Sequence, residues 1–512
     1  MPAGAAAGDG AALATGSPQA CAQQGCTTNQ MTMASSREMP LIGSPSQGSR
    51  LLRPLVPGGV RSSVIALCAT ALGTGVLSMP LAMQTSGLVA GWAMLLLATG
   101  MVALSGDVLV RCSHEQEQKT RGQDEATACG GAGLEEGPMP GRTVLPPPAS
   151  PGTASLAASQ VRSWNFLLEL HIGPRAGLLL EAIVCLFGCG VSTMYFVFMY
   201  QFTDGILRSQ FSHDIQVSHS ILALVFSACV LPLSLPTSLG NMQWLTVFVF
   251  SVIAGVIVLL LVGLGTCHGP SEPLSWLNVS ARGLLKSFCL FIFAHMYHMN
   301  LYTVYAGLCP PHTWGRTFPL QRDVADLVRM RRSLRSAALS NFALVAVLSS
   351  AGTALWKGTT MGNVMSNFTK QTCRPDVMVA SVIMQVALIL SASFCIPLNM
   401  VQTRASLLTL LGAAFGERTR DRLGQAPLRH LLTTCMILGL AFLASELADV
   451  ASIIGVLSGT LGTALMFMLP AFFYQRSGLD IKRPFRRNAT LTALAVSSIA
   501  GLTNVILTVL KV

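Results

Sequence analysis

Residues 62–83 read SSVIALCATALGTGVLSMPLAM. This stretch is apolar and long enough to cross a membrane, yet Gly73-Thr74-Gly75 and then Pro80 interrupt it. A helix in lipid must satisfy its backbone hydrogen bonds internally, so such residues at this depth indicate a broken helix that lines a cavity. The start of its second half offers free N–H groups and the positive end of a helix dipole, which suits a carboxylate.

The composition indicates an integral membrane protein. Hydrophobic residues make up 51% and charged residues 11% of the 512 residues, and the mean hydropathy is +0.57. The net charge of +11 arises from Lys and Arg in short loops between apolar segments. Membrane topology and lipid headgroups explain that pattern, which argues against nucleic-acid binding.

Apolar runs of about 20 residues predict an all-α polytopic membrane protein with about eleven transmembrane helices. The turn and loop composition between the runs sets their ends only to within a few residues. The predicted helices span residues 62–86, 88–111, 176–206, 219–236, 243–265, 283–307, 336–356, 377–402, 429–447, 448–474 and 489–510.

Two segments outside these helices have the composition of disordered chain. Residues 1–54 are rich in Ala, Gly, Ser and Pro and are predicted to form a disordered cytosolic tail. Residues 55–512 form the predicted transporter domain, in which 113–160, with its Pro146-Pro147-Pro148 run, is a predicted disordered cytosolic insertion.

The basic residues also set the predicted orientation. A cytosolic N-terminus places most of the 33 Lys and Arg residues on the cytosolic side. Asn278, in Asn-Val-Ser, and Asn367, in Asn-Phe-Thr, then fall in outward loops and are predicted glycosylation sites.

A second predicted helix is interrupted at its middle. Residues 288–308 read FCLFIFAHMYHMNLYTVYAGL, in which histidines, an asparagine and tyrosines interrupt an apolar span. Polar groups at that depth are costly and usually face a cavity. Two broken helices, the first and the sixth in order, are typical of a five-plus-five inverted-repeat transporter.

These residues carry a family resemblance, which runs in order from about residue 55 to residue 510. The chain resembles the amino acid/auxin permease family, which includes system A/N-type and proton-coupled amino acid transporters. The resemblance implies a LeuT-type fold and transport by alternating access. The matching segments are Ala71–Pro80, Leu231–Pro236 with Leu239 and Leu245, Phe293–His298 with Asn300 and Tyr305, Gly362–Phe368, Pro397–Arg404 and Gly455–Pro470.

The resemblance also implies a central substrate site. Backbone N–H groups of Gly73, Thr74 and Gly75 are expected to hold an amino acid carboxylate, and glycine lets the backbone approach closely. The break in the sixth helix is expected to supply carbonyls to the α-amine. The residues expected nearest the amine are Ala294, His295 and Met296, and those expected around the side chain are Val191, Tyr195, Tyr297, Phe394 and Cys395. The mostly apolar character of this last group favours neutral amino acids.

The coupling ion is expected to be a proton. Sodium-coupled members of the resembled family carry an asparagine four residues before the first glycine, where this chain has Ala69. Ser391 and Ser393 offer hydroxyls for a sodium site, but Cys395 replaces a third expected hydroxyl. His298 is the histidine at the position usual in the family, and it or His295 is a candidate proton carrier. Sodium coupling is the alternative.

The cysteines include one predicted pair. Cys267 and Cys373 both fall in predicted outward loops, where a disulfide can form. The spacing of the 14 cysteines matches no zinc or iron–sulfur site, so neither a metal nor a cofactor is predicted. Without a metal cluster or an activated nucleophile, the chain is not expected to be an enzyme.

Other functions stay open. Glu181 or Asp204 in the cavity would suit a cationic amino acid or a polyamine, and a non-transporting amino acid sensor would share the fold. The motifs fit either the plasma membrane or a vacuolar or lysosomal membrane.

Overall fold

The computed structural model describes residues 59–130, 164–210, 217–236, 243–269, 273–308, 319–369, 372–447 and 449–510. These parts are helices and connecting turns. In chain order the helices are α1 (Val60–Ala71), α2 (Met79–Ser86), α3 (Leu88–Gly130), α4 (Trp164–His171), α5 (Pro174–Gln210), α6 (His219–Ser234), α7 (Gln243–Thr266), α8 (Ala281–Phe293), α9 (His298–Gly307), α10 (Pro319–Trp356), α11 (Pro375–Phe415), α12 (Glu417–Gly424), α13 (Ala426–Ser445), α14 (Val450–Leu457), α15 (Leu469–Ser477) and α16 (Pro484–Val509).

The all-α membrane architecture is confirmed. In the described ranges, eight continuous helical segments are long and apolar enough to cross a membrane, and α1 with the segment 74–86 forms a further span bent by 56°. Two π-helical turns join α14 to α15 into one of these segments. The shorter α6 and the broken pair α8–α9 occupy the other two predicted positions.

The two broken spans lie side by side and antiparallel. The Asn278 N–H donates to the Ser86 carbonyl (2.9 Å) near the end of α2, and Asn300 Nδ2 donates to Thr70 Oγ1 (3.1 Å) near the end of α1. Residue numbers therefore rise along one span as they fall along the other. Opposite orientation of the first and sixth spans is what an inverted repeat requires.

The third and eighth spans, α5 and α11, repeat this relation. A Cβ at Gly188 would meet Thr403, whereas a Cβ at Gly205 would meet Gln385. Between these contacts, the Tyr195 hydroxyl lies next to the Cys395 thiol. Two pairs of spans, each five apart in order, are thus antiparallel, in agreement with the expected five-plus-five repeat of LeuT type.

The outer faces of the helices are apolar. Large side chains such as Leu186 (59%), Val258 (58%), Ile383 (62%) and Ile499 (64%) are exposed. Exposed apolar faces of this extent fit contact with lipid rather than with water.

The second span extends further than its hydropathy indicates. Residues 113–130 continue α3 as helix, although the disordered insertion was expected to begin at 113. Packing explains the difference, because His114 and Gln116 are buried and Lys119 Nζ donates to the Ser477 carbonyl (3.1 Å). The rest of the insertion, 131–160, and the predicted tail, 1–54, lie outside the described residues.

A polar cluster holds α3, at Arg111, to the turn after α15. Asp480 Oδ2 accepts hydrogen bonds from Arg111 Nη2 (2.8 Å) and the Tyr474 hydroxyl (2.8 Å), and Arg486 Nε lies 3.6 Å away. Burial acts to raise the pKa of Asp480, but the hydrogen bonds from Tyr474 and Arg111 outweigh it, so the pKa lies below its usual value.

A prediction follows from the lowered pKa of Asp480. A depressed pKa stabilises the fold fully above the ordinary carboxyl pKa, and this stabilisation is lost as pH falls through the folded value. We expect Asp480→Asn to lower the free energy of unfolding by about 2 kcal/mol at about pH 7, and we expect the difference from wild type to shrink as pH falls below the ordinary carboxyl pKa. Unfolding in detergent micelles over a series of pH values measures it.

The control for this experiment is Asp376→Asn. Asp376 pairs with Arg374 at 3.3 Å, but both side chains are more than 60% exposed. An exposed pair contributes little, so its loss is expected to change stability by less than about 0.5 kcal/mol. Equal effects of the two substitutions would contradict a special role for the Asp480 cluster.

Candidate functional site

The break in the first span begins where α1 ends. Leu72 leaves the helical region, and Gly73 is extended. The first hydrogen bond of the following short helix, Thr74–Ser78, runs from the Val76 N–H to the Gly73 carbonyl (3.1 Å). The N–H groups of Thr74 and Gly75 therefore precede the first bonded turn, where a helix leaves donors for a ligand.

Both glycines of the break are in close contact with other spans. A Cβ at Gly73 would lie 2.6 Å from the Tyr195 hydroxyl of α5, and a Cβ at Gly75 would overlap the Phe293 ring at the end of α8. Thr74 is 2% exposed, and its Oγ1 finds no hydrogen-bond partner in the described residues. The break thus combines close backbone approach with an unused hydroxyl.

The second break, residues 294–297, lies opposite the first. Tight turns hold it, in which the His295 N–H donates to the Ile292 carbonyl (3.0 Å) and the Met296 N–H to the Phe293 carbonyl (3.2 Å). Each of these carbonyls accepts one hydrogen bond in the turns and keeps a second lone pair for a further donor. The two breaks together therefore offer donors from one span and acceptors from the other.

A cavity of about 670 Å³ begins at the breaks. It extends towards the side on which α1 begins, because its further lining residues lie in the halves of α5, α9 and α11 on that side. The lining residues that matter here are Thr70, Gly73, Trp164, Glu181, Val191, Tyr195, Phe293, Met296, Asn300, Tyr302, Asn399, Gln402 and Thr403.

The two ends of the cavity differ chemically. The inner end, beside Gly73, is lined by Val191, Tyr195, Phe293 and Met296. The mouth carries amide side chains, of which Asn300 and Gln402 are exposed, and also Glu181. Glu181 lies about 21 Å along α5 from Tyr195, at 1.5 Å per residue. The only charged side chain among the described lining residues is thus remote from the breaks.

The opposite side of the breaks is closed. Ser78 Oγ donates to the Gly362 carbonyl (2.5 Å), and Thr353 Oγ1 donates to the Pro80 carbonyl (2.8 Å). These contacts join the second half of the first span to α10 and to the connection between α10 and α11. Among the described residues, the cavity therefore opens towards the other side of the breaks.

Some of the expected substrate residues line the cavity, and the others lie outside its described lining. Gly73 and Met296 line the cavity, as do Val191 and Tyr195. The others are not among its described lining residues: Thr74, Gly75, Ala294, His295 and Tyr297 are buried next to the breaks, whereas Phe394 and Cys395 are half-buried.

The candidate ion-coupling residues also lie away from the cavity wall. His298 is fully buried, and its Nε2 lies 3.1 Å from Ser105 Oγ of α3. Ser391 is buried and lies next to the Cys395 thiol, while Ser393 Oγ donates to the Ile389 carbonyl of its own helix (2.8 Å). No group of three or more His, Cys, Asp or Glu side chains suited to a metal occurs in the described ranges.

The predicted disulfide and glycosylation residues lie on the side of the protein at which the first span ends. A disulfide joins Cys267 to Cys373, with their Cα atoms 4.2 Å apart. Asn278 is exposed. Asn367, in contrast, is 8% exposed, and its Nδ2 donates to the Thr359 carbonyl (2.8 Å). The geometry therefore favours Asn278 over Asn367 as a site for a glycan.

Most of the residues at the mouth of the cavity were not predicted from the sequence. Asn399, Gln402 and Thr403 recur at helical spacing on one face of α11, a signal that was available. Trp164 had no such signal, because it follows the insertion and begins a short helix. Its Nε1 donates to the His298 carbonyl (3.3 Å), and its ring packs edge-on against Tyr302.

Comparison with known proteins adds a family assignment. The profile of a family described as "Transmembrane amino acid transporter protein" matches residues 57–512. A Toxoplasma gondii (strain ATCC 50611 / Me49) protein, named provisionally as amino acid transporter AAT1, is 25% identical over 395 residues, which are 75% of this chain and 46% of that protein. The chain thus spans less than half the length of this curated relative.

Solved structures of transporters are also similar. A manganese transporter from Eremococcus coleocola is 9% identical, with a TM-score of 0.49 over 88% of this chain and 87% of that one. Mhp1, of the nucleobase-cation-symport-1 family, is 11% identical in a closed conformation, with a TM-score of 0.43 over 88% and 93% of the two chains. The inward-facing conformation of Mhp1 is 13% identical, with a TM-score of 0.44 over 90% of this chain and 94% of that one.

Proposed function

Because the chain belongs to the transmembrane amino acid transporter family, whose profile covers residues 57–512, we propose that it is a secondary active transporter of neutral amino acids, driven by protons. The observation that carries this proposal is the cavity of about 670 Å³ that begins where two antiparallel spans are broken. Transport proceeds by alternating access, and the structure is open on one side of the breaks.

The breaks suit the two ends of an α-amino acid. The carboxylate binds the N–H groups of Thr74 and Gly75, where the positive end of the short helix 74–78 stabilises its charge. Thr74 Oγ1, buried without a described partner, adds a hydroxyl donor. The α-amine binds carbonyls at the end of α8.

The inner end of the cavity favours neutral side chains. Val191, Tyr195, Phe293 and Met296 offer apolar and aromatic surface around any group that extends from Gly73. A cationic side chain there would lack a nearby carboxylate, because Glu181 lies at the mouth and Asp204 pairs with His219 at 3.0 Å outside the cavity lining. Cationic amino acids or polyamines are the alternative substrates.

The residues at the expected sodium position favour coupling to protons over coupling to sodium. Sodium binds several oxygen ligands, whereas Ala69 has no side-chain oxygen and Cys395 offers sulfur. Ser393 Oγ donates its hydrogen to the Ile389 carbonyl and keeps its lone pairs, so it is Ala69 and Cys395 that weaken a sodium site. Sodium coupling remains the competing proposal.

Uptake by purified protein in proteoliposomes tests the proposal. We expect labelled neutral amino acids to accumulate up to about tenfold for each unit by which the exterior is more acidic, since one pH unit is worth 1.36 kcal/mol. Replacing sodium with choline is expected to leave this accumulation unchanged. Protein-free liposomes are the control.

Other outcomes identify the alternatives. Loss of uptake in choline would establish sodium coupling, and faster uptake of arginine or spermidine than of neutral amino acids would establish a cationic substrate. Specific binding of an amino acid without flux under any gradient would favour a sensor.

The orientation and the membrane are also part of the proposal. The distribution of basic residues favours a cytosolic N-terminus, and with that orientation the open side of the cavity faces the cytosol. We place the protein in the plasma membrane or in a vacuolar or lysosomal membrane. Protease protection of terminal tags in sealed vesicles tests the orientation, and cell fractionation separates the two membranes.

A further inference from the structure

Two buried histidines lie in the second broken span, at opposite helix ends. His295 follows the C-terminus of α8 (Ala281–Phe293), whereas His298 is the first residue of α9 (His298–Gly307). The C-terminal end of a helix carries partial negative charge and favours a cation, whereas the N-terminal end carries partial positive charge and opposes one. The backbone therefore treats a positive charge differently at the two residues.

Hydrogen bonds at His295 suit both the neutral and the protonated ring. Its Nδ1 lies 2.8 Å from the Phe291 carbonyl, which can only accept, so Nδ1 carries a hydrogen. Its Nε2 lies 3.0 Å from Thr99 Oγ1, which also lies 2.8 Å from the Leu95 carbonyl. In the neutral ring, Nε2 accepts the threonine hydrogen. In the protonated ring, Nε2 donates to Thr99, whose hydrogen turns to Leu95.

His298 has one hydrogen-bond partner fewer. Its Nε2 lies 3.1 Å from Ser105 Oγ, which also contacts the Met466 carbonyl. The remaining nitrogen, Nδ1, is buried and has no hydrogen-bond partner in the described residues. A protonated ring carries hydrogen on both nitrogens, so the buried N–H at Nδ1 would lack an acceptor, which is unfavourable.

Few other titratable groups share these surroundings. The broken span itself carries Cys289, Tyr297 and His298 near the break, and α3 carries Asp107, whose Oδ1 pairs with Arg331 Nε at 2.5 Å. Of the other helices that pack against α8, α2 and α14 contain no titratable residue, and those of α16 lie in its first turn, at Arg486 and Arg487.

We propose that Nε2 of His295 is the atom that binds the coupling proton, with Thr99 and the Leu95 carbonyl as its switchable hydrogen-bond partners. His298 stays neutral and anchors the broken span to Ser105. This inference rests on the proposed proton-driven transport, and it assigns the proton to the histidine that the sequence placed near the substrate amine.

Proton-driven accumulation and substrate counterflow in proteoliposomes test the assignment. His295→Gln keeps an amide near Thr99 but cannot gain a proton. We expect its accumulation ratio under a pH gradient to fall to about one, while counterflow, which needs no net proton movement, remains measurable. His298→Gln is expected to keep a response to the pH gradient. His430→Gln, on α13 and remote from the breaks, is the control for substituting a histidine.

Thr99 provides a second readout that does not depend on the folding of a histidine variant. Thr99→Val removes the acceptor for the protonated ring, so we expect the midpoint of the pH dependence of uptake to move to lower pH. Thr99→Ser is expected to retain the wild-type midpoint. Both variants keep a titratable His295.

Three outcomes would overturn the assignment. They are accumulation by His295→Gln equal to wild type, loss of the pH response in His298→Gln alone, and an unchanged pH midpoint in Thr99→Val. Wild-type protein that accumulates substrate only under a sodium gradient would overturn both the assignment and proton coupling. A wild-type response to the pH gradient, with the variants behaving otherwise than expected, would leave the proposed transport intact and reject His295.

Discussion

Gly73→Ala is expected to reduce uptake by at least about 100-fold, because small displacements of a binding group have effects of that size. The added methyl carbon would lie 2.6 Å from the Tyr195 hydroxyl, a distance that requires either the break or α5 to move. That movement displaces the N–H groups of Thr74 and Gly75, which are proposed to bind the carboxylate. Initial rates in proteoliposomes at equal protein content measure the loss.

Two further variants make this experiment specific. Gly439→Ala in α13 adds a methyl group where no atom lies within 4 Å, and uptake is expected to stay within about twofold of wild type. In Gly73→Ala combined with Tyr195→Phe, the closest ring atom would lie 3.5 Å from the added carbon. This double variant should recover uptake towards the level of Tyr195→Phe alone. Undiminished transport by Gly73→Ala would exclude close backbone approach at the break.

Arg404→Met is expected to lower the free energy of unfolding by about 3 kcal/mol, since it leaves buried acceptors without a charged donor. Arg404 is 4% exposed. Its guanidinium donates to the carbonyls of Ser234 (3.1 Å) and Pro236 (2.8 Å) and to Thr433 Oγ1 (2.9 Å). One side chain thus satisfies carbonyls at the end of α6 and joins α6 and α11 to α13.

The geometry of the guanidinium is tested by Arg404→Lys. An ammonium keeps the charge but cannot reproduce the fork that reaches acceptors on two helices, so a smaller loss is expected. Arg422→Ala, an exposed arginine on α12, is the control and should stay within about 0.5 kcal/mol of wild type. Unfolding by denaturing detergent in mixed micelles measures all three. A wild-type value for Arg404→Met would show that these acceptors find other partners.

Much of the fold follows from local chemistry that the sequence displays. Lipid admits helices and excludes unsatisfied backbone, so apolar runs of sufficient length predicted the spans. Glycine and proline act on the backbone at their own positions, and the break at Gly73-Thr74-Gly75 lies where the sequence indicated. The extension of α3 beyond residue 112 was missed, because its stability comes from buried side chains and from the contact of Lys119 with Ser477, far away in the chain.

The amino-acid sequence by itself determined the membrane class, the positions of both helix breaks and the family, because these depend on hydropathy and on residues next to one another. Only the tertiary structure decided which residues of each break face the cavity. Met296 lines it, whereas His295, one residue earlier, turns towards Thr99 of α3. The physical reason is that a broken helix has no fixed periodicity, so the direction of each side chain is set by the packing of spans that are distant in sequence.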